Sequence, residues 1–204
     1  MPAPPSRVLH LVAPPTSGVD DLALRDDDEL MRLAKMGHAA AFGVLVRRHS
    51  HALVQLVAKL TADAGFAEEV AQDVWLAIWR GRSSYVSGDF RAYLITAARN
   101  RCRNRARSLG RRGPALEALA VEPAPQQRDQ LDALLERELA EELLGALGAL
   151  RDAEREAIVL RYAEDLDYET MESLTATKSS TLRARVHHGL LALRARLTRE
   201  RTSR

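Results

Sequence analysis

The chain has 204 residues, 46% of them hydrophobic and 28% charged, with 30 Lys and Arg against 28 Asp and Glu. That length suits one large domain or two small ones with a buried core, and a net charge of +2 excludes a uniformly polycationic or acidic chain. A single cysteine, Cys102, excludes an internal disulfide or a cysteine zinc site and fits a reduced, cytosolic setting. No apolar run approaches the ~18 residues of a membrane helix, and no signal peptide is evident.

Residues 1–26 are rich in proline and are expected to form a mostly disordered extension. Asp28 is placed to cap a short helix that runs to Met36 and ends at Gly37. Phe42, Leu45, Val46, His49, Leu53, Leu56, Val57 and Leu60 then recur at three and four residues, which predicts a long helix from Ala39 to Leu60. His49 is read as a packed or partly exposed histidine rather than a ligand. Ala67 to Arg80 forms a third helix, with Val70, Val74, Ala77 and Ile78 inward. Glu68, Glu69, Gln72 and Asp73 lie toward solvent beside Trp75 and Trp79, one of which is expected to be internal. Charge next to an aromatic anchor suits a protein contact. A loop from Gly81 to Asp89 leads to a fourth helix, Phe90 to Ser108.

No acidic residue occurs from Arg91 to Arg112. Tyr85 and Tyr93 interleave there with Arg82, Arg91 and Arg99, a mixture that suits unpaired bases stacking on rings while cations hold the backbone. Gly110, Gly113, Pro114, Pro123 and Pro125 then predict a linker over residues 109–130. Helices follow from Leu131 to Leu150 and from Asp152 to Tyr162. The segment from Glu117 to Glu172 is acid-rich, and such faces can meet a basic protein surface.

The last third carries two short helical patterns joined by a polar turn, Leu166 to Leu174 and then Thr181 to about Arg199. Asp167 can cap the first, and Ser179 or Ser180 the second. Leu182 and Val186, four apart, are expected to pack on the preceding helix. Arg183 lies one turn into the second helix, where an arginine can pair bidentately with guanine. Arg185, His187 and His188 add phosphate or base contacts. This is a helix-turn-helix pattern whose second helix enters a DNA groove. No phosphate loop, metal-ligand spacing or nucleophile motif is present, so the chain reads as a non-enzyme with no metal and no cofactor. The fold class is all-α, with two small helical domains on a flexible tether.

The ordered set resembles a bacterial RNA polymerase sigma factor of the extracytoplasmic-function type. The segments that carry the resemblance are Asp27 to Leu30, Phe42 to Arg48, Ala67 to Trp79, Phe90 to Asn100 and Leu166 to Arg194. It implies a region 2 over residues 27–108, the tether over 109–130 and a region 4 over 131–204. It implies partners: core RNA polymerase, promoter DNA and an anti-sigma factor, in the bacterial cytoplasm. Glu69, Gln72, Asp73, Trp75 and Trp79 would face the polymerase. Tyr85, Arg91, Tyr93, Arg99, Asn100, Arg103 and Asn104 would lie on melted −10 DNA. Ser179, Ser180, Thr181, Arg183, Arg185, His187 and His188 would meet the −35 duplex. The chain departs from the family pattern at Glu172, where a small residue is usual, at Ala176, where a glycine is usual, and at His188, where arginine is frequent. A tether of ~22 residues averages about 25–28 Å, while the two promoter elements lie roughly 50–60 Å apart. Bridging them therefore needs a stretched tether, and the free domains can collapse together. Two competing readings are a helix-turn-helix regulator that binds duplex DNA alone and a helical adaptor for acidic proteins.

Overall fold

A computed structural model describes residues 21–110 and 130–202 of the protein. The Pro-rich stretch 1–20 and residues 111–129 of the expected tether lie outside them. The described residues form helices without a strand. In chain order these are α1 (Asp27–Lys35), α2 (Ala39–Thr61), α3 (Ala67–Gly81), a 3-10 turn (Arg82–Ser84), α4 (Phe90–Gly110), α5 (Gln130–Gly148), α6 (Asp152–Ile158), a π turn (Val159–Ala163), α7 (Tyr168–Thr175) and α8 (Ser179–Thr202).

In the front module α2 is the central helix, packed by α1, α3 and α4. Its apolar stripe meets the core as the spacing predicts: Leu45, Leu53, Leu56, Val57 and Leu60 are buried. Val70, Val74 and Ile78 bring α3 against it, while Ala77, expected inward, is exposed. That helix instead buries Ala67, Ala71 and Trp75, so its inward stripe lies on the Trp75 side of the expected one. In the back module α6 and α7 each pack on α8. α6 and α8 approach closely at Gly189, where a β-carbon would stand 2.5 Å from Ile158 Cδ1. Glycine there lets the two helix backbones come together.

Several local expectations shift by a residue or two. The N-cap of α1 is Asp26, whose carboxylate accepts the Glu29 N–H at 2.7 Å. Asp28 instead accepts from the Tyr85 hydroxyl and from the Gly88 N–H, both at 3.0 Å. A carboxylate two residues into the helix points sideways and can reach a loop that the cap position cannot. The order also begins before residue 27. Leu22 packs against the core, and Arg48 donates to the carbonyls of Ala23 and Arg25, each at 3.1 Å.

The two modules pack directly on each other. One continuous cluster of buried apolar side chains runs through both. The C-terminal end of α2 lies against α5, α6 and the π turn, and α4 lies against α7. The Arg155 guanidinium crosses the seam to the Leu60 carbonyl at 2.9 Å.

Candidate nucleic-acid interface

The helix-turn-helix is built by caps. Asp167 accepts the Thr170 N–H at 2.7 Å, which starts α7 and holds the Asp167 carboxyl below its ordinary range. Ala176 ends that helix in the left-handed conformation, φ +51°, a geometry that glycine adopts more readily. Ser179 and Ser180, expected as caps, do not cap α8. The helix begins at Ser179, the Leu182 N–H reaches the Lys178 carbonyl at 3.0 Å, and Glu172 accepts the Ser179 N–H at 2.8 Å. Glu172 thus satisfies the first N–H of α8 from the preceding helix, and that hydrogen bond lowers its carboxyl pKa.

Leu182 and Val186 are buried. The opposite side of α8 presents Ser180, Thr181, Arg183, His187 and His188 to solvent, with Arg185 half-buried. Those polar residues share one helical surface near its start, and Arg183 lies 4.9 Å from the centre of the Tyr168 ring.

The residues expected on the −10 strand are less uniformly placed. Asn100, Arg103 and Asn104 are exposed on α4, and Tyr93 is half-buried. Tyr85 is 3% exposed. Its ring sits edge-on to Tyr93 at 5.1 Å, and its hydroxyl donates to Asp28. Burial, and then that carboxylate, push its phenol well above the ordinary value. Tyr85 is thus a core residue and offers no face for a base in this arrangement.

Arg99 is the sharper departure. It is 6% exposed. Its guanidinium pairs with Glu156 of α6 and donates to the carbonyls of Leu174 and Thr175 at 3.1 and 3.4 Å. The last carbonyls of α7 have no partners within their helix and carry partial negative charge. Arg99 thus satisfies a helix end as well as a carboxylate. Arg91 makes a second tie, donating to the Glu164 carboxylate at 3.0 Å and the Glu164 carbonyl at 2.9 Å. Burial raises the Glu164 pKa even beside that arginine. Arg103 lies 3.8 Å from Glu156. The acid-rich segment that could meet a basic protein meets this chain's own basic helix. Both charge blocks are visible in the sequence, but nothing local in it pairs them. A cleft of about 460 Å³ remains at the seam, lined among others by Phe66, Cys102, Arg105 and Asp152.

On α3, Glu69 and Gln72 are exposed and Asp73 is half-buried. Two carboxylates are engaged by α4: Arg105 reaches Glu69 at 3.0 Å, and the Arg101 Nε reaches Asp73 at 3.1 Å. Trp75 is buried and Trp79 half-buried, so one tryptophan is internal as expected. Phe42 stands 5.7 Å from Trp75 and 5.0 Å from Trp79. With Leu76 and Ala39 these rings line a shallow apolar hollow of about 260 Å³. Leu76 is 49% exposed. The sequence reading missed Leu76 and the part Phe42 plays here. Their signal was an apolar residue on the same face as two tryptophans.

The segments match known proteins in the same order. Residues 45–112 match the model of Sigma-70 region 2, and residues 140–193 match that of Sigma-70, region 4. The ECF RNA polymerase sigma factor SigK of Mycolicibacterium vanbaalenii is 31% identical over 172 residues, spanning 82% of this chain and 87% of the relative. The chain belongs to the ECF RNA polymerase sigma factors. SigK of Mycobacterium tuberculosis is 29% identical over 174 residues, spanning 83% of this chain and 92% of that one. In fold the sigma factor is similar to CnrH, solved with the cytosolic domain of CnrY, at a TM-score of 0.63 and 23% identity over 84% of this chain and 97% of that one. It is also similar to RpoE of Bartonella quintana, solved with the anti-sigma factor NepR, at 0.61 and 24% over 77% and 96%. As a sigma factor it binds core RNA polymerase and directs initiation at promoters. Such proteins act by binding, and the helix-turn-helix regulator and adaptor readings fall away. Among the described residues no helix is long and apolar enough to cross a membrane, and no group of three or more His, Cys, Asp and Glu is placed to hold a metal.

Proposed function

We propose that the two modules divide the promoter between them, and that the packed arrangement is a resting form which must part before the −10 strand is engaged. The observation that carries this is the fate of Arg99 and Arg91. Both stand where a basic helix would track a DNA backbone, and both are held by carboxylates and carbonyls of the other module. Glu156 and Glu164 thus occupy positions that phosphates would take. Once the seam opens, Arg91, Arg99, Asn100, Arg103 and Asn104 line one basic helix for the unpaired strand, with Tyr93 beside them. Tyr85 keeps that surface in shape rather than stacking on a base.

The back module reads the −35 duplex through Thr181, Arg183, Arg185, His187 and His188, with Ser179 and Ser180 at the entry of the helix. Residues 27–108, 109–130 and 131–204 serve as the front module, the tether and the back module. The polymerase contact lies on α3 at Glu69, Gln72 and Asp73, with the Trp75 and Trp79 hollow as its apolar centre. An anti-sigma factor that covers the closed form in the bacterial cytoplasm completes the scheme. It would act by stabilising an arrangement the chain already makes.

The test is in vitro transcription with core polymerase on promoters selected from a randomised pool, with strand opening followed by permanganate reactivity. Arg183→Ala is expected to change which −35 sequences are used. Arg99→Ala is expected to weaken opening more than initial docking. Transcription by both variants with unchanged start-site choice and unchanged opening would refute the assignment. Recovery of core polymerase alone from cells, under inducing and uninducing conditions alike, would refute the anti-sigma partner.

A further inference from the structure

We propose that Tyr168 is a positioning residue for promoter readout: its ring holds the Arg183 side chain in the attitude from which the guanidinium edge reads a base pair. The inference rests on the assignment of Arg183 to the −35 groove and adds a residue from the first helix of the motif to that reading.

Tyr168 is the first residue of α7, fixed there by the Asp167 cap, and its half-buried ring packs against the core. Its place is therefore set by the fold and not by DNA. Two guanidiniums approach that ring, Arg183 at 4.9 Å and Arg161 at 5.7 Å. They differ in what else they hold. Arg161 donates through Nη1 to the Leu166 carbonyl at 3.1 Å, and the same nitrogen lies 3.6 Å from the Asp165 carboxylate, so this guanidinium is tied to its own loop. Arg183 is exposed, and among the described residues the Tyr168 ring is the contact it makes.

That difference matters because of the shape of the group. A guanidinium is a flat cation with its five N–H donors in the plane. A cation held over an aromatic face gives up no donor to an acceptor atom, and Arg183 makes no hydrogen bond or ion pair among the described residues. Bidentate pairing with a guanine uses those donors. The ring therefore narrows the rotamers of a long side chain without competing for its hydrogen bonds. Without the ring, Arg183 would have to be ordered by the DNA at the moment of binding.

The test uses the full chain with core polymerase and, as probe, duplexes selected by this holoenzyme from a pool randomised over the −35 positions. Selection profiles and equilibrium binding are measured for Arg183→Ala, Tyr168→Phe, Tyr168→Leu and the Tyr168→Leu, Arg183→Ala double variant. An exposed cation–aromatic contact corresponds to about two- to fivefold. Tyr168→Leu is expected to relax selectivity by that factor at the base pair that Arg183→Ala relaxes, and to add nothing once Arg183 is gone. Tyr168→Phe keeps the ring and is expected to match the parent. A pentafluorophenylalanine at position 168 keeps the shape but reverses the charge of the face, so it is expected to behave as Tyr168→Leu does. This variant decides the matter if the leucine perturbs folding. Equal losses at every −35 position, or a loss that persists in the double variant, would mean a merely structural tyrosine and overturn the proposal. So would a parent-like profile for the leucine and fluorinated variants beside a relaxed Arg183→Ala. Should Arg183→Ala relax no position, the −35 assignment of Arg183 fails first and the proposal falls with it.

Discussion

Replacing Glu156 by glutamine is expected to open the seam between the modules. The Arg99 and Glu156 side chains are 7% and 14% exposed, so each has given up most of its water in the closed form. Removing one partner of a buried pair costs about 3–5 kcal/mol, because the remaining charge is left without compensation. The Leu174 and Thr175 carbonyls still accept from Arg99, and a glutamine oxygen can accept once more. The lower end of that range, about 3 kcal/mol, is therefore appropriate. Arg99 regains water when the modules part, so the penalty falls on the closed form alone. At about 1.4 kcal/mol per power of ten, the ratio of closed to open molecules should fall by about 100-fold. Energy transfer between dyes on the two modules reads this directly. Cysteines introduced at His51 and Glu169, both exposed, carry the dyes. The native Cys102 is buried in the closed form but lines the seam cleft, so it is replaced by serine in every labelled chain. Glu156→Gln should shift the population to low transfer and raise affinity for single-stranded −10 DNA. A transfer distribution that superimposes on the parent's, with unchanged DNA affinity, would refute the reasoning.

Ala176→Gly should stabilise the chain. A left-handed alanine costs about 1–2 kcal/mol, and the greater freedom of unfolded glycine returns about 0.4–1 kcal/mol of that. A net gain near 0.5–1 kcal/mol is a rise of roughly 1–4 °C in Tm by calorimetry, and a fall would contradict the φ of +51°. Gly189→Ala should destabilise instead, since its β-carbon would meet Ile158 Cδ1 at 2.5 Å and Glu154 Cβ at 3.4 Å. Overpacking of about 1–3 kcal/mol outweighs the gain in helix propensity of about 1 kcal/mol. Ile158→Val removes the offending methyl and should recover part of the loss in chemical denaturation, whereas an alanine variant more stable than the parent would exclude the close packing. The Asp167 and Glu172 carboxyls are held below their ordinary values of 3.8 and 4.5 by the N–H groups they accept. Their contribution is present above those values and is lost as pH falls through the lower folded ones. Thermal melts of the parent should therefore lose more Tm on acidification than those of an Asp167→Asn, Glu172→Gln variant, and equal losses would contradict the caps.

Much of the secondary structure around the candidate site was legible because its signals are local. The three- and four-residue spacing of α2, the acid-free run of α4 and the Asp167 cap depend on residues within a turn or two of one another. Boundaries slipped where two acceptors stood close together. Asp26 rather than Asp28 caps α1, and α8 begins without a serine cap, its first N–H donating to Glu172.

The sequence by itself determined the helices, their amphipathic faces, the helix-turn-helix and the two charge blocks, because periodicity and capping follow from the chain's own geometry. Only the tertiary structure decided which charges meet. Arg99 and Glu156 are 57 residues apart, and Arg91 and Glu164 are 73. Nothing local couples such pairs; they form because one core runs through both modules and brings the acidic face of the second against the basic helix of the first. Packing within the front module turned Tyr85 inward, where Phe90, Tyr93 and Asp28 surround it.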